Sequence, residues 1–298
     1  MVRLIAEIGC NHKGDMSIAR DMISVAARIC KVDVVKLQKR NNVELLPPEQ
    51  YSTPHPVPEN SYGATYGAHR EALELTVEQH GELIEHGRSE GIDVATSVWD
   101  MTSAREIAAL EPNLIKIPSA TNLHWDLQGY LCENFGGEIH VSTGMTTRGE
   151  IDQVVAFYEE RGRARDLVVY SCTSGYPVPF EDICLFEITR LREKFEHRVK
   201  AIGFSGHHLG IAVDIAALAL GAQWIERHFT MDRTWKGTDH AASLEPDGMR
   251  RLARDLRNVE KALSYKEQEV LDIEHVQRAK LKWTGHETAS APSGNAGS

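Results

Sequence analysis

Long apolar runs are missing from this chain. Nothing in it approaches the roughly eighteen consecutive apolar residues of a membrane span, so a spanning helix is excluded. The N-terminus enters a strand pattern at once, at Arg3-Leu-Ile-Ala-Glu-Ile-Gly9, with no signal-peptide core ahead of it. Cysteine is sparse: Cys10, Cys30, Cys132, Cys172 and Cys184 are scattered, odd in number and free of Cys-x-x-Cys spacing. That pattern excludes a disulfide framework and suits free thiols in a reducing compartment. The expected location is therefore cytoplasmic. Positive charge is also short, with 33 Lys and Arg against 43 Asp and Glu and a net charge of −10. This argues against nucleic-acid or anionic-membrane partners, and leaves room for a small basic pocket that takes an acidic metabolite. No Gly-x-Gly-x-x-Gly follows a strand pattern, which removes the main signature of a doubly wound dinucleotide-binding sheet.

What the chain does have is alternation. Its 298 residues, 42% hydrophobic and 26% charged, are enough for a sizeable core. Short apolar runs recur at Leu4–Ile8, Asp33–Leu37, Asp93–Thr96, Leu114–Ile117, Ile139–Ser142, Leu167–Tyr170, Ala201–Phe204 and Trp224–His228. Helical spacing follows each, at about 17–27, 76–90, 102–110, 123–134, 147–160, 185–195, 211–220 and 245–263. Eight such units fit a single-domain α/β fold, a (β/α)8 TIM barrel, which typically needs about 250 residues; an open doubly wound sheet is the alternative. The expected bounds are a barrel over 1–265, a partly helical C-terminal extension over 266–287 and a disordered tail over 288–298. Residues 41–66 carry Pro47, Pro48, Pro54, Pro56 and Pro58 and read as a long structureless connection, either a functional lid or an ornament.

Polar residues gather at the C-terminal ends of these strands, where barrel enzymes build their sites. Strand one supplies Glu7, strand two Lys36 and Gln38, strand four Lys116 and Ser119. Strand five supplies Ser142 and Thr143, strand six leads to Ser174 and Tyr176, and the last two give Ser205, His207, Glu226 and His228. Lys36 and Lys116 lie inside apolar runs, where a purely structural strand rarely places lysine. With the serine hydroxyls they make a cradle for phosphate or carboxylate. Ser142-Thr143-Gly144, opening a helix, adds backbone N–H donors for an anion. The structural reading is that each lysine simply pairs with Glu7 or Glu226. His207 and His228, on neighbouring strand ends with Glu226, offer a divalent-metal site; the plainer reading is two hydrogen-bonded core histidines. A desolvated lysine would also serve an imine-forming lyase. Cys10 and Cys172 lack a base partner and read as structural thiols.

Seven blocks in order carry a resemblance. They are Ile5-Ala-Glu-Ile-Gly-Cys-Asn-His-Lys-Gly14, Val35-Lys-Leu-Gln38, Ile115-Lys-Ile-Pro-Ser119, Val141-Ser-Thr-Gly-Met145, Cys172-Thr-Ser-Gly-Tyr-Pro177, Ile225-Glu-Arg-His-Phe-Thr230 and Gly237-Thr-Asp-His-Ala-Ala-Ser-Leu244. Together they resemble the sialic acid synthase family over residues 3–263. The resemblance implies a barrel enzyme that condenses phosphoenolpyruvate with an open-chain N-acylhexosamine such as N-acetylmannosamine. It implies that Lys36, Lys116, Ser119, Ser142, Ser174 and Ser205 hold phosphoenolpyruvate with Gln38 nearby. His207 and His228 would bind manganese or magnesium, and Glu7, Tyr176 and Asp239 would contact the sugar. It also implies pairing as a homodimer. Two departures stand out. Gly206 replaces the family's usual Asp between Ser205 and His207, and the usual C-terminal antifreeze-like domain is not in this sequence. The second departure leaves open a separate capping protein or a different or phosphorylated acceptor. A degenerate binding barrel is the non-enzymatic reading.

Overall fold

In a computed structural model, which describes residues 1–283, the eight strands close into one parallel barrel in sequence order. They are β1 Arg3–Gly9, β2 Val34–Lys39, β3 Asp93–Val98, β4 Leu114–Ile117, β5 Glu138–Ser142, β6 Leu167–Cys172, β7 Ala201–Gly206 and β8 Trp224–His228. Closure is made by β1 against β8, with Glu7 opposite His228. The open-sheet alternative is thereby excluded. Both faces of every strand are covered, so the strands read as near-continuous apolar runs. Outward residues such as Val35, Leu37, Ile115, Ile117, Val141 and Ile225 pack under the helices. Inward residues Ile5, Val34, Ala95, Leu114, Val168, Tyr170, Ala201 and Trp224 fill the lower barrel. Two residues further along the same inward face come Glu7, Lys36, Ser97, Lys116, Cys172 and Glu226, with Ser205 four residues beyond Ala201. The strand period of two thus stacks a polar layer directly on an apolar one.

The outer ring begins with α1 Met16–Val25, capped by Asp15. The long connection after β2 is not structureless, contrary to the sequence expectation. It folds into α2 Asn42–Leu45, α3 Pro48–Ser52 and α4 Tyr66–Glu71, with a 3-10 turn at Pro58–Asn60. Asn41 caps α2, Pro48 opens α3 and Thr65 caps α4, so polar and proline residues start helices as well as break them. The segment is tied down: the Asn41 N–H donates to Asp100 at 2.7 Å and the Met101 N–H to Glu44 at 3.0 Å. Next come α5 Val77–Glu90, α6 Met101–Ala108, α7 Trp125–Asn134, α8 Arg148–Glu160, α9 Phe186–Phe195, α10 Ala212–Ala219 and α11 Pro246–Ala262. Thr76 with Gln79 and Thr147 with Glu150 form capping boxes on α5 and α8.

The barrel unit runs from Met1 to Ala262, and a second unit begins at Leu263. The described part of that second unit holds α12 Asp272–Leu281. The tail expected over 288–298, and the last residues of the expected extension, lie outside the described residues. Among the described residues no helix is long and apolar enough to cross a membrane.

Candidate active site

The C-terminal end of the barrel opens into a cavity of about 570 Å³. Glu7, Lys36, Gln38, Lys116, Ser119, Ser142, Ser174, Tyr176, Ser205, His207, Glu226, His228 and Asp239 all line it. Thr143 does not: its hydroxyl donates to the Tyr170 carbonyl at 2.8 Å and it borders a neighbouring cavity behind β6. The strand period sends Ser142 inward and Thr143 outward, so the side chain of Thr143 leaves the set expected from sequence.

At the cavity floor four charges share one network. Lys116 Nζ donates to Glu226 Oε1 at 2.6 Å, and Lys36 Nζ lies 3.8 Å from the same oxygen. Ser205 Oγ donates to that oxygen at 3.2 Å, while Lys36 also pairs with Glu7 and donates to Ser97 Oγ at 2.7 Å. All four charged side chains are buried. Burial alone would raise the Glu226 carboxyl, yet Lys116 and Lys36 hold it well below the usual range, so it is ionised. Burial raises Glu7 above the usual carboxylate range, against the pull of Lys36 and with repulsion from Glu226. Burial also draws Lys116 below the usual lysine value, with Glu226 opposing. Two like carboxyls with opposite shifts in one site make an acid–base pair. Several polar atoms here are buried without a partner: Ser142 Oγ, Glu226 Oε2 and His228 Nδ1. Native interiors rarely leave such atoms unmatched except where a ligand completes them. Glycines keep the walls thin. A Cβ on Gly9, at φ +55°, would meet Gln38 Nε2 at 2.8 Å and Glu7 Oε1 at 3.1 Å. One on Gly144 would collide with the Ser174 and Ser119 hydroxyls, while its N–H donates to Ser119 Oγ at 3.0 Å.

On one wall the His207 and His228 rings lie 5.4 Å apart, with the Tyr176 ring 4.4 Å from the first. His207 Nδ1 donates to the Thr173 carbonyl at 3.1 Å, which leaves its Nε2 lone pair free. Burial pushes His207 down to about 3 and lowers His228 as well, so both imidazoles are neutral and able to coordinate. Among the described residues no group of three or more His, Cys, Asp or Glu is arranged to hold an ion. The free His207 Nε2 and the buried, unpartnered His228 Nδ1 are the observations that fit a divalent ion with two protein ligands and its remaining positions left to substrate and water. Gly206 has a packing role beside them: a Cβ there would meet Phe204 at 2.7 Å and His208 at 2.8 Å. Burial drives the Cys10 thiol up to about 12 and raises Cys172 too, so neither is a nucleophile.

The upper wall was not foreseen from sequence. Arg40, His55, Tyr66, His69, Arg70 and Trp99 line the cavity from the segment after β2 and from the end of β3. Arg40 had a legible signal, since Lys36, Gln38 and Arg40 share the inward period of β2. Arg70 had none, because its position depends on how the proline-rich segment folds back.

Comparison with known proteins gives the family. The NeuB family profile matches residues 22–268. Human N-acetylneuraminate-9-phosphate synthase is 34% identical over 278 residues, covering 93% of this chain and 76% of that protein. N,N'-diacetyllegionaminic acid synthase of Campylobacter jejuni is 32% identical over 263 residues, covering 87% and 77%. The crystal structure of a sialic acid synthetase from Leptospira borgpetersenii, in complex with citrate, superposes with a TM-score of 0.79 at 26% identity, covering 94% of this chain and 92% of that one. The chain belongs to the NeuB family of sialic acid synthase-type enzymes.

Proposed function

We propose that this cavity condenses phosphoenolpyruvate with an open-chain N-acylhexosamine, N-acetylmannosamine or a close relative, to give a 2-keto-3-deoxy sugar acid and phosphate. The observation that carries the reading is the buried quartet of Lys36, Lys116, Glu7 and Glu226, ringed by the unpartnered Ser142 and the Ser119, Ser174 and Ser205 hydroxyls. A compact, highly charged anion is what such a layer is built to receive. Lys36 and Lys116 hold the phosphate and carboxylate of phosphoenolpyruvate, Gln38 and the serines fix its orientation, and the Gly144 N–H adds a backbone donor.

His207 and His228 would hold manganese or magnesium, which when bound supplies electrophilic assistance at the aldehyde oxygen. Carbon 3 of the enol then forms a bond to the aldehyde carbon, whose oxygen gains a proton. Carbon 2 becomes electron-poor and takes up water, which gives up one proton, balancing the one gained by the sugar oxygen; the resulting hemiketal phosphate collapses to the ketone as its C–O bond to phosphate breaks, and the remaining hydroxyl proton leaves with the phosphate. Glu7, raised by burial and placed opposite His228, is the group suited to deliver the proton to the sugar oxygen or accept it from water. Ionised Glu226, paired with Lys116 and facing Lys36, sets the electrostatic field at carbon 2. Tyr176 and Asp239 complete the sugar end.

The test is phosphate release from phosphoenolpyruvate with manganese across a panel of N-acylated and plain aldoses, with the sugar acid quantified in parallel. Chelator-sensitive release, one phosphate per sugar acid, is expected with an N-acylated aldose. Release that ignores the sugar, or trapping of a lysine by borohydride with pyruvate, would overturn the reading in favour of hydrolysis or imine chemistry.

A further inference from the structure

His207 and His228 are linked by a buried arginine on the outer face of the barrel. Arg227 lies between Glu226 and His228 on β8, so the strand period turns its side chain away from the cavity. It is 1% exposed. Its Nη1 donates to Asp214 Oδ2 of α10 at 2.5 Å and to the Gly210 carbonyl at 2.8 Å, and lies 2.9 Å from His208 Nε2. Its Nη2 donates to the His208 carbonyl at 2.6 Å. His208 and Asp214 are fully buried as well. Both carbonyls belong to the turn that follows His207.

That turn is where the sheet stops holding the chain. The β7–β8 ladder ends at Gly206 opposite Arg227, one residue short of His207, while His228 stays in register with Glu7 of β1. Past the ladder, His207 is fixed from the β6 side, where its Nδ1 donates to Thr173 and its carbonyl accepts the Val178 N–H, each at 3.1 Å. On the β8 side the hold passes to the Arg227 side chain. Stability alone is a poor account of this network. A buried ion pair is often replaceable by apolar packing without loss, and His208 Nδ1 and Asp214 Oδ1 have no partner among the described residues. What a planar fork bound to a carboxylate and two carbonyls does supply is fixed geometry. Gly206 belongs to the same device. Its neighbours Ser205 and His207 line the cavity, so position 206 faces outward, opposite Arg227, where a Cβ would press 2.8 Å from the His208 ring. An acid there would meet Arg227, not the cavity, and Asp214 already serves Arg227 from α10.

We propose that Arg227 is a positioning residue: braced by Asp214 and His208, it holds the turn after β7 against β8 and so sets the separation of His207 and His228 for one divalent ion. The inference rests on the metal reading of those histidines, and the tests keep the two apart. Manganese affinity is read by paramagnetic resonance of the free ion, phosphoenolpyruvate affinity by calorimetry without added metal, and folding by the thermal midpoint. Arg227→Met combined with Asp214→Leu removes both buried charges together, so neither is stranded. Its manganese affinity is expected to fall by about 10–100-fold, the usual effect of losing a group that orients a ligand, with phosphoenolpyruvate affinity near the wild-type value. Arg227→Lys, which keeps the charge and loses the fork, is expected to fall between, and it carries the test if the double variant does not fold. A folded variant of either kind that binds manganese as the wild type does overturns the proposal. Gly206→Asp is expected not to tighten manganese binding, because its carboxylate points outward; tighter binding overturns that assignment. If the wild-type enzyme binds no manganese, the metal reading fails, and crystal structures of the wild type and a folded variant decide the clamp. Ring centres still 5.4 Å apart in the variant overturn it, and a displaced His207 supports it.

Discussion

Lys116 and Glu226 form a buried pair at which stability and binding can be separated. Their contact at 2.6 Å is buried in the barrel, and Glu226 Oε1 also takes Ser205 and faces Lys36 at 3.8 Å. Lys116→Met leaves a buried carboxylate with half its compensation. Breaking a buried pair in this way costs about 3–5 kcal/mol, which lowers the thermal midpoint by roughly 6–20 °C in a domain of this size. Adding Glu226→Gln removes the stranded charge and restores most of the midpoint, but not phosphoenolpyruvate binding. Scanning fluorimetry alongside a phosphoenolpyruvate titration checks both halves. A double variant that binds phosphoenolpyruvate as the wild type does would show that the lysine is structural. These charged residues were legible in sequence because a lysine inside an apolar run contradicts its surroundings. Thr143 was misplaced because adjacency in a motif says nothing about which face of the strand a residue takes. Gly206 read as a lost acid; its tight contacts with Phe204 and His208 depend on packing that no motif records.

At the scale of elements, the strands and ring helices were readable and the segment after β2 was not. Strand β4, Leu114–Ile117, and strand β8, Trp224–His228, have the bounds expected from their apolar runs. Helices α5 and α8 begin at capping boxes, the second of which is visible as Thr147 and Glu150. By contrast α2, α3 and α4 are four to six residues long, too short for periodicity to register and stable only by tertiary contact. Tyr51 of α3 lies flat against Gly67 of α4, where a Cβ would collide with its ring. Gly67→Val should therefore undock α4 and carry Arg70 away from the cavity while the barrel stays folded. Expected results are faster amide hydrogen exchange over residues 42–71, with phosphoenolpyruvate affinity and the main thermal transition retained. A global drop in midpoint with no separate loosening of residues 42–71 would contradict this view of the segment.

Across the whole molecule the two ends of the barrel do different work. At the N-terminal end, His140 accepts from the Tyr170 hydroxyl at 2.8 Å and lies 3.3 Å from Glu138, which also pairs with Lys200 at 3.1 Å. Burial alone would raise Glu138, yet His140 and Lys200 hold it down to about 2. A carboxyl held below its unfolded value adds stability above that value, and the contribution is lost as pH falls toward about 2. Glu138→Gln should cost about 1–2 kcal/mol at pH 7, after allowance for partial exposure. The deficit should shrink by more than half by about pH 3, with kcat/KM unchanged throughout. Thermal unfolding at several pH values reads this directly, and a deficit that grows on acidification would contradict it.

The opposite end is assigned to chemistry, and the central claim is that one cavity holds phosphoenolpyruvate on Lys36 and Lys116 beside an ion on His207 and His228. The most direct measurement is a crystal structure with phosphoenolpyruvate and manganese, the ion located by its anomalous scattering. The expected result is an anomalous peak between the two histidines and phosphoenolpyruvate across the two lysines. Manganese elsewhere, or phosphoenolpyruvate on Arg40 and Arg70 with the lysines still paired to Glu7 and Glu226, would contradict it.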